Sequence, residues 1–459
     1  MLHESALWML RDSPLDVLRM PGWLMVGKAS LKRKLADRAS FNPASLPYNE
    51  ELIEWLEAQR EEGRTLVLCT ASDAAIANAI ADHLGVFDEV MASDGAVNLA
   101  GRHKAAALER LYGERGFDYV GNSNADLAVW ERARRAIVVN APEALVRKAR
   151  ALCEVEQVFP GTKPGLSALR RTLRVHQWMK NLLLFVPLMA AHAFASIEPW
   201  MALVLAFVSF SLCASTVYIA NDLLDLESDR LHPRKRTRPF ASGLVPAWMG
   251  VVLAPLLLLV SLLLGARVGG DFLPWLLFYF FVTCVYSWWL KRLILVDCLT
   301  LAMLYTLRIV AGAAAAGIAL SFWLLAFSVF LFLSLAFVKR YAELQVQILN
   351  DKTKAHGRGY LTSDAPLVQM LGICAGYAAV VVLSLYLNSD AVLTLYKTPQ
   401  IVWGAVPVIL FWISWIWMQA HRGRMHDDPL VFAVKDKASL AAGLAFGAVL
   451  AIGAKGWMW

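Results

Sequence analysis

Nine apolar runs, separated by short polar connections, dominate the chain after residue 180 and set the choice of fold. They lie at residues 182–196, 200–220, 245–264, 272–289, 293–314, 321–338, 367–387, 401–418 and 440–452. Most of these runs are long enough to cross a bilayer as a helix. Since 58% of the 459 residues are hydrophobic and 18% are charged, the composition also excludes an ordinary soluble protein of this size. The sequence predicts a multispan all-α membrane bundle with about nine transmembrane helices.

Lys and Arg residues are concentrated on alternate connections between these runs. The basic connections are residues 229–238, 291–292, 339–358 and 421–437, and the opposite connections are 269–270, 315–319 and 388–400. By the positive-inside rule, we expect the basic connections, the amino-terminal domain and the active site on the cytoplasmic side of a bacterial inner (plasma) membrane. The net charge of +7 fits these basic connections and partners such as anionic lipids or phosphates, so no nucleic-acid partner is expected.

One connection begins with a cluster of acids at the end of an apolar run. Asp222, Asp225 and Asp229 are spaced i, i+3 and i+7, and Asn221 falls on the same helical stripe. Carboxylates crowded at the mouth of a membrane helix repel each other and need a cation. Hard oxygen ligands suit Mg²⁺ that bridges to substrate phosphates, so Asn221, Asp222, Asp225 and Asp229 are the predicted metal ligands. An ordinary solvated helix end is the alternative, but charges beside a membrane span are costly and usually functional.

The first 165 residues lack the long apolar runs of the rest of the chain, and their pattern predicts a cytosolic α/β domain. Short β-branched runs alternate with helical patterns, which is typical of a doubly wound parallel sheet. The predicted strands are residues 65–70, 88–91, 119–120, 136–140 and 155–159, with helices between them such as 50–62 and 72–84. We therefore expect two domains, at residues 1–165 and 166–459.

Polar residues at the predicted strand ends resemble the haloacid dehalogenase (HAD) superfamily. Thr70 would bind phosphate, Lys104 would neutralise it, and the segment from Gly121 to Asp126 would serve Mg²⁺. Two departures put an activity in doubt: no carboxylate nucleophile motif precedes Thr70, and Asn122 stands where a metal-binding Asp is expected. The domain is then a degenerate scaffold, or the given sequence begins after the lost strand, or other residues act. Because that strand is central in this fold, we expect a gapped sheet.

Several motifs of the membrane part resemble the UbiA superfamily of intramembrane prenyltransferases. The pattern N-D-x-x-D-x-x-x-D spans residues 221–229, and H-P-x-K-R-x-R-P follows at 232–239. Q-W-x-K-N at 177–181 and Y-S-x-x-L-K-R-x-x-x-x-D at 286–297 are similar to the polyprenyl-phosphate phosphoribosyltransferase branch of that superfamily. The resemblance implies a UbiA-like transferase domain fused to a degenerate HAD-like domain.

The resemblance also implies roles for individual residues. Asp222, Asp225 and Asp229 would be catalytic through the bound Mg²⁺. The implied substrate-binding residues are Gln177, Lys180, Asn181, Arg234, Lys235, Arg236, Arg238, Tyr286, Lys291, Asp297, Arg308, Lys339 and Arg340. Asp297 and Arg308 lie within a predicted span, so both are expected to face the bundle interior.

The implied reaction moves 5-phosphoribose from phosphoribosyl pyrophosphate to a polyprenyl phosphate in the membrane and releases pyrophosphate. One alternative is a UbiA-type prenyltransferase with a polyprenyl diphosphate donor and an aromatic acceptor. Its second D-x-x-x-D signature has no match at residues 339–344, which are rich in cations. The other alternative is a transporter or lipid-binding protein with a regulatory HAD-like domain, although transporter sites lie at the bilayer midplane. A homo-oligomer is compatible with the sequence.

Two further connections carry weaker patterns. Residues 426–429, His-Asp-Asp-Pro, predict a capped helix start with solvated charges rather than a substrate site. Residues 357–360, Gly-Arg-Gly-Tyr, predict a turn in which the backbone can approach a phosphate closely.

Overall fold

The computed structural model of the protein describes residues 2–13, 16, 19–38, 42–94, 98–161, 165–351, 358–425 and 428–456. The chain divides into two compact units. The first unit contains Met1–Thr172 together with Ile219–Val252, and the second contains Leu173–Tyr218 together with Leu253–Trp459. The acidic motif thus belongs to the same unit as the α/β part of the chain.

The α/β part of the first unit has five strands and nine helices among its described residues. The strands are β1 Val67–Asp73, β2 Glu89–Ser93, β3 Asp118–Gly121, β4 Arg135–Val139 and β5 Glu154–Phe159. The helices are α1 Leu2–Asp12, α2 Met20–Val26, α3 Lys28–Ala36, α4 Glu50–Glu61, α5 Ala74–Leu84, α6 Arg102–Tyr112, α7 Leu127–Trp130, α8 Glu143–Leu152 and α9 Leu166–Thr172. The predicted strand–helix alternation is confirmed.

Local sequence signals explain where several of these helices begin and end. The side chain of Asn49 accepts a hydrogen bond from the Leu52 amide at the start of α4, and Asp73 accepts one from Ala75 at the start of α5. Helix α5 ends at Gly85, whose φ of 65° lies in the left-handed region that glycine adopts without strain.

The five strands form two separate parallel sheets rather than one. Strand β1 pairs with β2, and β3, β4 and β5 pair in that order. Among the described residues, no strand joins β1 to β3. The expected gapped sheet is therefore present, and the gap lies between β1 and β3.

The rest of the chain is helical. The helices are α10 Val186–Ala190, α11 Ile197–Leu224, α12 Leu226–Leu231, α13 Ala247–Val268, α14 Phe272–Trp288, α15 Val296–Ala316, α16 Phe322–Leu349, α17 Ala365–Leu387, α18 Asp390–Leu395, α19 Pro399–Val402, α20 Ala405–His421, α21 Pro429–Lys435 and α22 Lys437–Lys455. Within the described residues, seven helical segments are long and apolar enough to cross a membrane, and α14 is a shorter apolar helix. The multispan all-α bundle is confirmed, but the count of nine spans is not.

The first expected span, residues 182–196, differs most from the prediction. Its beginning belongs to a 3-10 helix, Val175–Phe185, and only the five residues of α10 follow in α-helical form. Pro187 lies in the first turn of α10, where its missing amide is tolerated, and His192 just beyond the helix has a positive φ of 52°. Apolar content alone therefore overestimated the helix length here.

Apolar clusters hold the second unit together, and two of them bear on the predicted site. One joins α15, α16, α17 and α20 through buried side chains such as Tyr305, Phe332 and Trp417. The other joins the 3-10 helix to α11, α14 and α15 through Leu184 and Phe210. Because Lys180 and Asn181 lie on the 3-10 helix, this packing fixes two predicted site residues.

Candidate functional site

The acidic motif spans the junction of α11 and α12. Asp225 separates the two helices, but its amide still bonds to the Asn221 carbonyl at 2.9 Å, and the Asp229 amide bonds to the Asp225 carbonyl at 2.8 Å. These i to i−4 hydrogen bonds keep the helical spacing across the break. Asp222 and Asp229 are both buried, with 3% and 1% of their surfaces exposed.

Cationic side chains of the following basic run pair with these buried acids. The Arg238 guanidinium lies 3.0 Å from Asp222 Oδ1 and also pairs with Asp229 Oδ2. Lys235 Nζ lies 3.5 Å from Asp229 Oδ1. A single guanidinium therefore links the two carboxylates, while Arg234 and Arg236 are exposed.

The chemistry of this donor set suits a hard divalent cation. Asp222 and Asp229 share the Arg238 guanidinium, and Asp229 Oδ1, with Lys235 Nζ 3.5 Å away, has no hydrogen-bond partner among the described residues. Buried carboxylate oxygens of this kind are the ligands that Mg²⁺ prefers. Within the described part of the chain, no three His, Cys, Asp or Glu side chains form a metal-binding group. Asn221 and Asp225 lie half-buried on the same segment, so the four-ligand set stays a prediction.

Contacts within the first unit hold this segment in place. Arg230 donates to Glu4 of α1 at 2.8 Å, and the Arg230 side chain is only 5% exposed. Gly243 lies so close to Pro47 that a Cβ added there would meet it at 3.3 Å. No local sequence pattern links the α/β part to the acidic motif.

In the second unit, Asp428 contacts two lysines that are predicted to bind substrate. Its carboxylate accepts from Lys180 Nζ at 2.7 Å and from Tyr305 Oη at 2.9 Å, and Lys339 Nζ lies 3.4 Å away. Asp428 also caps α21, with the Leu430 amide at 3.3 Å. Capping was predicted, but the prediction of a solvated charge is wrong, because Asp428 is only 8% exposed.

The pKa of Asp428 follows from this environment. Burial opposes ionisation and would raise the pKa, but the ammonium groups of Lys180 and Lys339, with hydrogen bonds from Lys180 and Tyr305, outweigh it. The pKa is therefore held well below the usual range of an aspartate. Asp428 was missed as a functional candidate because its ion partner Lys180 is distant in sequence.

Asn181 and Arg308 form a second buried polar group. Arg308 Nε donates to Asn181 Oδ1 at 2.9 Å and Arg308 Nη2 donates to Tyr279 Oη at 3.0 Å. Asn181 Nδ2 donates in turn to Ser211 Oγ at 2.9 Å. Arg308 is 4% exposed and thus lies inside its unit, as expected for an intramembrane charge.

Asp297 is the centre of a third buried group. Arg340 Nη2 lies 2.7 Å from its Oδ2, and Tyr360 Oη donates to its Oδ1 at 2.7 Å. Arg358 lies 3.5 Å from the same carboxylate and donates to Tyr286 Oη at 2.9 Å. Asp297 is fully buried, but it pairs with Arg340 and lies in a different group from Arg308.

The remaining predicted positions are less constrained. Gln177 is half-buried on the 3-10 helix, and Lys291 is half-buried in a short 3-10 turn, Leu290–Arg292. Tyr360 is buried and bonds to the Leu295 amide at 2.9 Å. Gly357, His426 and Asp427 lie outside the described residues.

The HAD-like positions of the first unit form a hydrogen-bonded chain. Lys104 Nζ donates to Tyr119 Oη at 2.7 Å, and Tyr119 donates to Asp126 Oδ1 at 3.1 Å. Asp126 Oδ2 also accepts from the amides of Asn122 and Ser123. Thr70 Oγ1 accepts from the Ser72 amide at 3.1 Å.

Long apolar helices that enclose ion-paired side chains, joined to an α/β unit, define an integral membrane protein. The chain belongs to the UbiA prenyltransferase family, whose family model matches residues 182–441. Residues 26–131 match the model of haloacid dehalogenase-like hydrolases.

The chain is also similar to individual proteins. The chain is 37% identical to the uncharacterized protein y4nM of Sinorhizobium fredii, over 95% of this chain and 85% of that protein. It is 33% identical to the decaprenyl-phosphate phosphoribosyltransferase of Mycolicibacterium smegmatis, over 63% of this chain and 93% of that protein. A solved UbiA homolog from Archaeoglobus fulgidus bound to GPP and Mg²⁺ aligns over 62% of this chain and 99% of that chain, at 16% identity and a TM-score of 0.46.

Proposed function

We propose that the protein transfers 5-phosphoribose from phosphoribosyl pyrophosphate to a polyprenyl phosphate at the cytoplasmic face of a bacterial inner membrane. The observation that carries the proposal is the excess of positive charge at Asp428 in the second unit, where two lysines, Lys180 and Lys339, meet one carboxylate. In the first unit, Lys235 and Arg238 pair with Asp222 and Asp229. A phosphoribosyl donor carries a 5-phosphate dianion that a polyprenyl diphosphate lacks, so it needs more positive charge.

Similarity to a protein named decaprenyl-phosphate phosphoribosyltransferase supports the same donor and acceptor. In the reaction, the bond from ribose C1 to the pyrophosphate oxygen breaks, and an oxygen of the lipid phosphate forms the new bond to C1. That oxygen is already ionised, so the residues are not required to supply a general base. Their task is to hold both anions in line for displacement.

In the proposed reaction, the acidic residues would bind the metal and the basic residues would bind the phosphates. Asn221, Asp222, Asp225 and Asp229 would hold Mg²⁺, which as a Lewis acid neutralises the leaving pyrophosphate. Arg238 would grip phosphate oxygens through two parallel hydrogen bonds, and Lys180 and Lys235 would act as point charges. A carboxylate of Asp225 or Asp229 would also stabilise positive charge that develops on the ribose ring.

The direct test supplies proteoliposomes with radiolabelled phosphoribosyl pyrophosphate, Mg²⁺ and a polyprenyl phosphate. We expect lipid-linked label and free pyrophosphate to appear together. A parallel assay supplies a polyprenyl diphosphate and an aromatic acid. If these two are consumed while lipid-linked label is absent from the first assay, the protein is instead a UbiA-type prenyltransferase.

The substitution Asp225→Asn tests the acidic motif in the same assay. It replaces a carboxylate by a neutral amide of similar shape, so we expect transfer to fall about a hundredfold or more while the protein remains folded. Asp271→Asn, an exposed position at the start of α14, is the matched control and should retain activity. Full activity of Asp225→Asn would remove this residue from the metal site.

A further inference from the structure

The last three residues of α2 form an exposed apolar tip at the turn between α2 and α3. Leu24, Met25 and Val26 are 52%, 89% and 74% exposed. Within the described residues of the α/β part, no other run of three large apolar side chains is exposed. Single exposed apolar residues are ordinary on a protein surface, but a contiguous group of them indicates contact with another apolar surface or phase.

The apolar tip is held in place by the packing of the first three helices. Trp23, next to the tip, packs with Leu31 in the apolar cluster that joins α1, α2 and α3. Lys34 Nζ and the Arg38 guanidinium lie 5.6 and 4.9 Å from the centroid of the Trp23 ring. Gly27 makes the turn with a φ of 139°, a value that favours glycine. The fold therefore fixes the tip in its exposed position.

The apolar tip lies within a basic stretch of the chain. Residues 16–38 contain six Lys or Arg and two Asp, an excess of four positive charges. Two of these cations pair with other residues of the α/β part, since Lys32 donates to Asn98 at 2.8 Å and Arg33 lies 3.4 Å from Asp73. Large apolar side chains flanked by an excess of Lys and Arg are typical of segments that bind anionic lipid surfaces.

The unit that carries the tip also contains the ends of two membrane-spanning helices. Residues 219–252 include the end of α11 and the start of α13, where Trp248 is half exposed. A tryptophan at the end of a span is typical of the boundary between lipid and water. Arg230, which follows the end of α11 at Leu224, donates to Glu4 of α1 at 2.8 Å. The helices that support the tip are thus bonded to a segment that leaves the bilayer.

We propose that the apolar tip inserts into the membrane surface from which the acidic motif emerges, while the basic residues beside it bind anionic phospholipid headgroups. A lipid surface offers an apolar phase and negative charge side by side, which matches both features of this segment. A stable protein partner needs a much larger area than the tip of a seven-residue helix provides.

This attachment does not depend on the proposed transferase function. It rests on the exposure, charge and packing of α1, α2 and α3, and its test measures lipid contact rather than turnover. Together with the ion pair between Glu4 and Arg230, the attachment holds the α/β part at the membrane surface beside the acidic motif.

Hydrogen exchange on the full-length protein in nanodiscs tests the attachment. Each disc holds a single copy, and the discs contain either phosphatidylcholine alone or phosphatidylcholine with an equal amount of phosphatidylglycerol. We expect amide exchange in α2 to be about tenfold slower in the anionic discs, with exchange in β4 unchanged. Equal exchange of α2 in the two lipids, or an equal slowing of β4, would overturn the proposal.

Substitutions at the most exposed residue of the tip sharpen this test. Met25→Asp adds a negative charge to the tip, so the slowing in anionic discs should disappear. Met25→Gln keeps the size but not the apolar character and should lose part of it. Leu111→Asp, at an exposed position of α6, is the matched control and should keep the full slowing. Exchange in β4 shows whether a variant has unfolded, and full slowing in folded Met25→Asp and Met25→Gln would contradict the proposal.

Photo-crosslinking identifies what contacts the tip. Met25 is replaced by the photoreactive residue p-benzoylphenylalanine in the full-length protein in bacterial membranes, and the products are analysed by mass spectrometry. We expect crosslinks to phospholipid. Crosslinks only to protein, whether a second copy of this chain or another polypeptide, would show that the tip is a protein interface and overturn the proposal.

Discussion

Asp428 shows how a single carboxylate organises two cations that are remote in sequence. It lies between Lys180 and Lys339, with Tyr305 as a third hydrogen-bond donor. An acid that holds two ammonium groups in one place prepares them to bind a larger anion such as a substrate phosphate. In the proposed function, Asp428 would be a positioning residue, which acts through the lysines rather than on the substrate.

Replacement of Asp428 by Asn tests this role. The substitution leaves Lys180 buried without its counter-charge, and removing one partner of a buried pair costs about 3–5 kcal/mol. We expect lower stability in thermal unfolding and a raised KM for the phosphorylated donor. Asp428→Glu, which keeps the charge, should restore part of both. A variant with unchanged stability and KM would show that the lysines do not depend on this carboxylate.

The same ion pair makes the stability of the protein depend on pH under acid conditions. Because the folded-state pKa of Asp428 is depressed, its contribution is fully present above the unfolded-state pKa, near 3.9. This stabilising contribution is lost as the pH falls from the unfolded-state pKa towards the folded-state pKa of Asp428. The stability difference between the protein and Asp428→Asn should therefore shrink as the pH falls below about 4. A difference that stays constant on further acidification would contradict the assignment.

The sequence predicted contacts between residues that lie close together in the chain. The spacing of Asp222 and Asp229 placed both carboxylates on one side, and the basic run after them supplied Arg238. The burial of Asp428 was not predicted, because the pattern of its neighbours His426, Asp427 and Pro429 indicates only a helix start. Its ion partner Lys180 lies 248 positions away, and no local pattern reports such a contact.

Among the elements, the 3-10 helix Val175–Phe185 packs closely against α15. A Cβ added at Gly312 of α15 would lie 2.0 Å from the Leu184 carbonyl oxygen, which is backbone and has little freedom to move. Only glycine allows this approach. The close contact holds the segment that carries Lys180 and Asn181 against α15.

Gly312→Ala should therefore displace the 3-10 helix. We expect a loss of stability of about 2–4 kcal/mol together with reduced transfer activity, since the predicted substrate residues shift with the backbone. Gly443→Ala in α22 is the matched control, because its added Cβ meets no atom within 4 Å. That variant should be neutral or slightly stabilised, and equal effects of the two substitutions in thermal unfolding would refute the explanation.

The sequence predicted most elements but not all of their lengths. Strands such as Arg135–Val139 were recognisable because a run of β-branched residues lies between helical patterns. The segment 182–196 was misjudged because its composition is apolar whether the backbone is 3-10, α-helical or irregular. Its conformation is decided by packing against α15, which a one-dimensional pattern does not contain.

At the scale of the whole molecule, the division into units differs from the order of the sequence. Residues 219–252, which carry the acidic motif, belong to the unit that contains the α/β part. The ion pair between Arg230 and Glu4 is one of the contacts that join them. The α/β part therefore supports the acidic motif, independently of any hydrolase activity of its own.

Glu4→Gln should weaken this support. The buried Arg230 guanidinium loses its counter-charge, so we expect the first unit to lose about 1–3 kcal/mol of stability, with lower transfer activity as a consequence. Glu57→Gln, at an exposed position of α4, should change neither property. If Glu4→Gln unfolds and transfers like the unchanged protein, the contact with α1 is dispensable for the motif.

The pairing of Asp222 and Asp229 with Arg238 and Lys235 has a consequence for biogenesis. The two buried carboxylates of the motif, Asp222 and Asp229, are balanced by two cationic side chains without a metal. We therefore expect this buried part of the motif to fold without a bound metal. Chelation of divalent ions should stop transfer but leave the Tm unchanged. A Tm that falls on chelation would mean that the metal, rather than the internal counterions, maintains this end of α11.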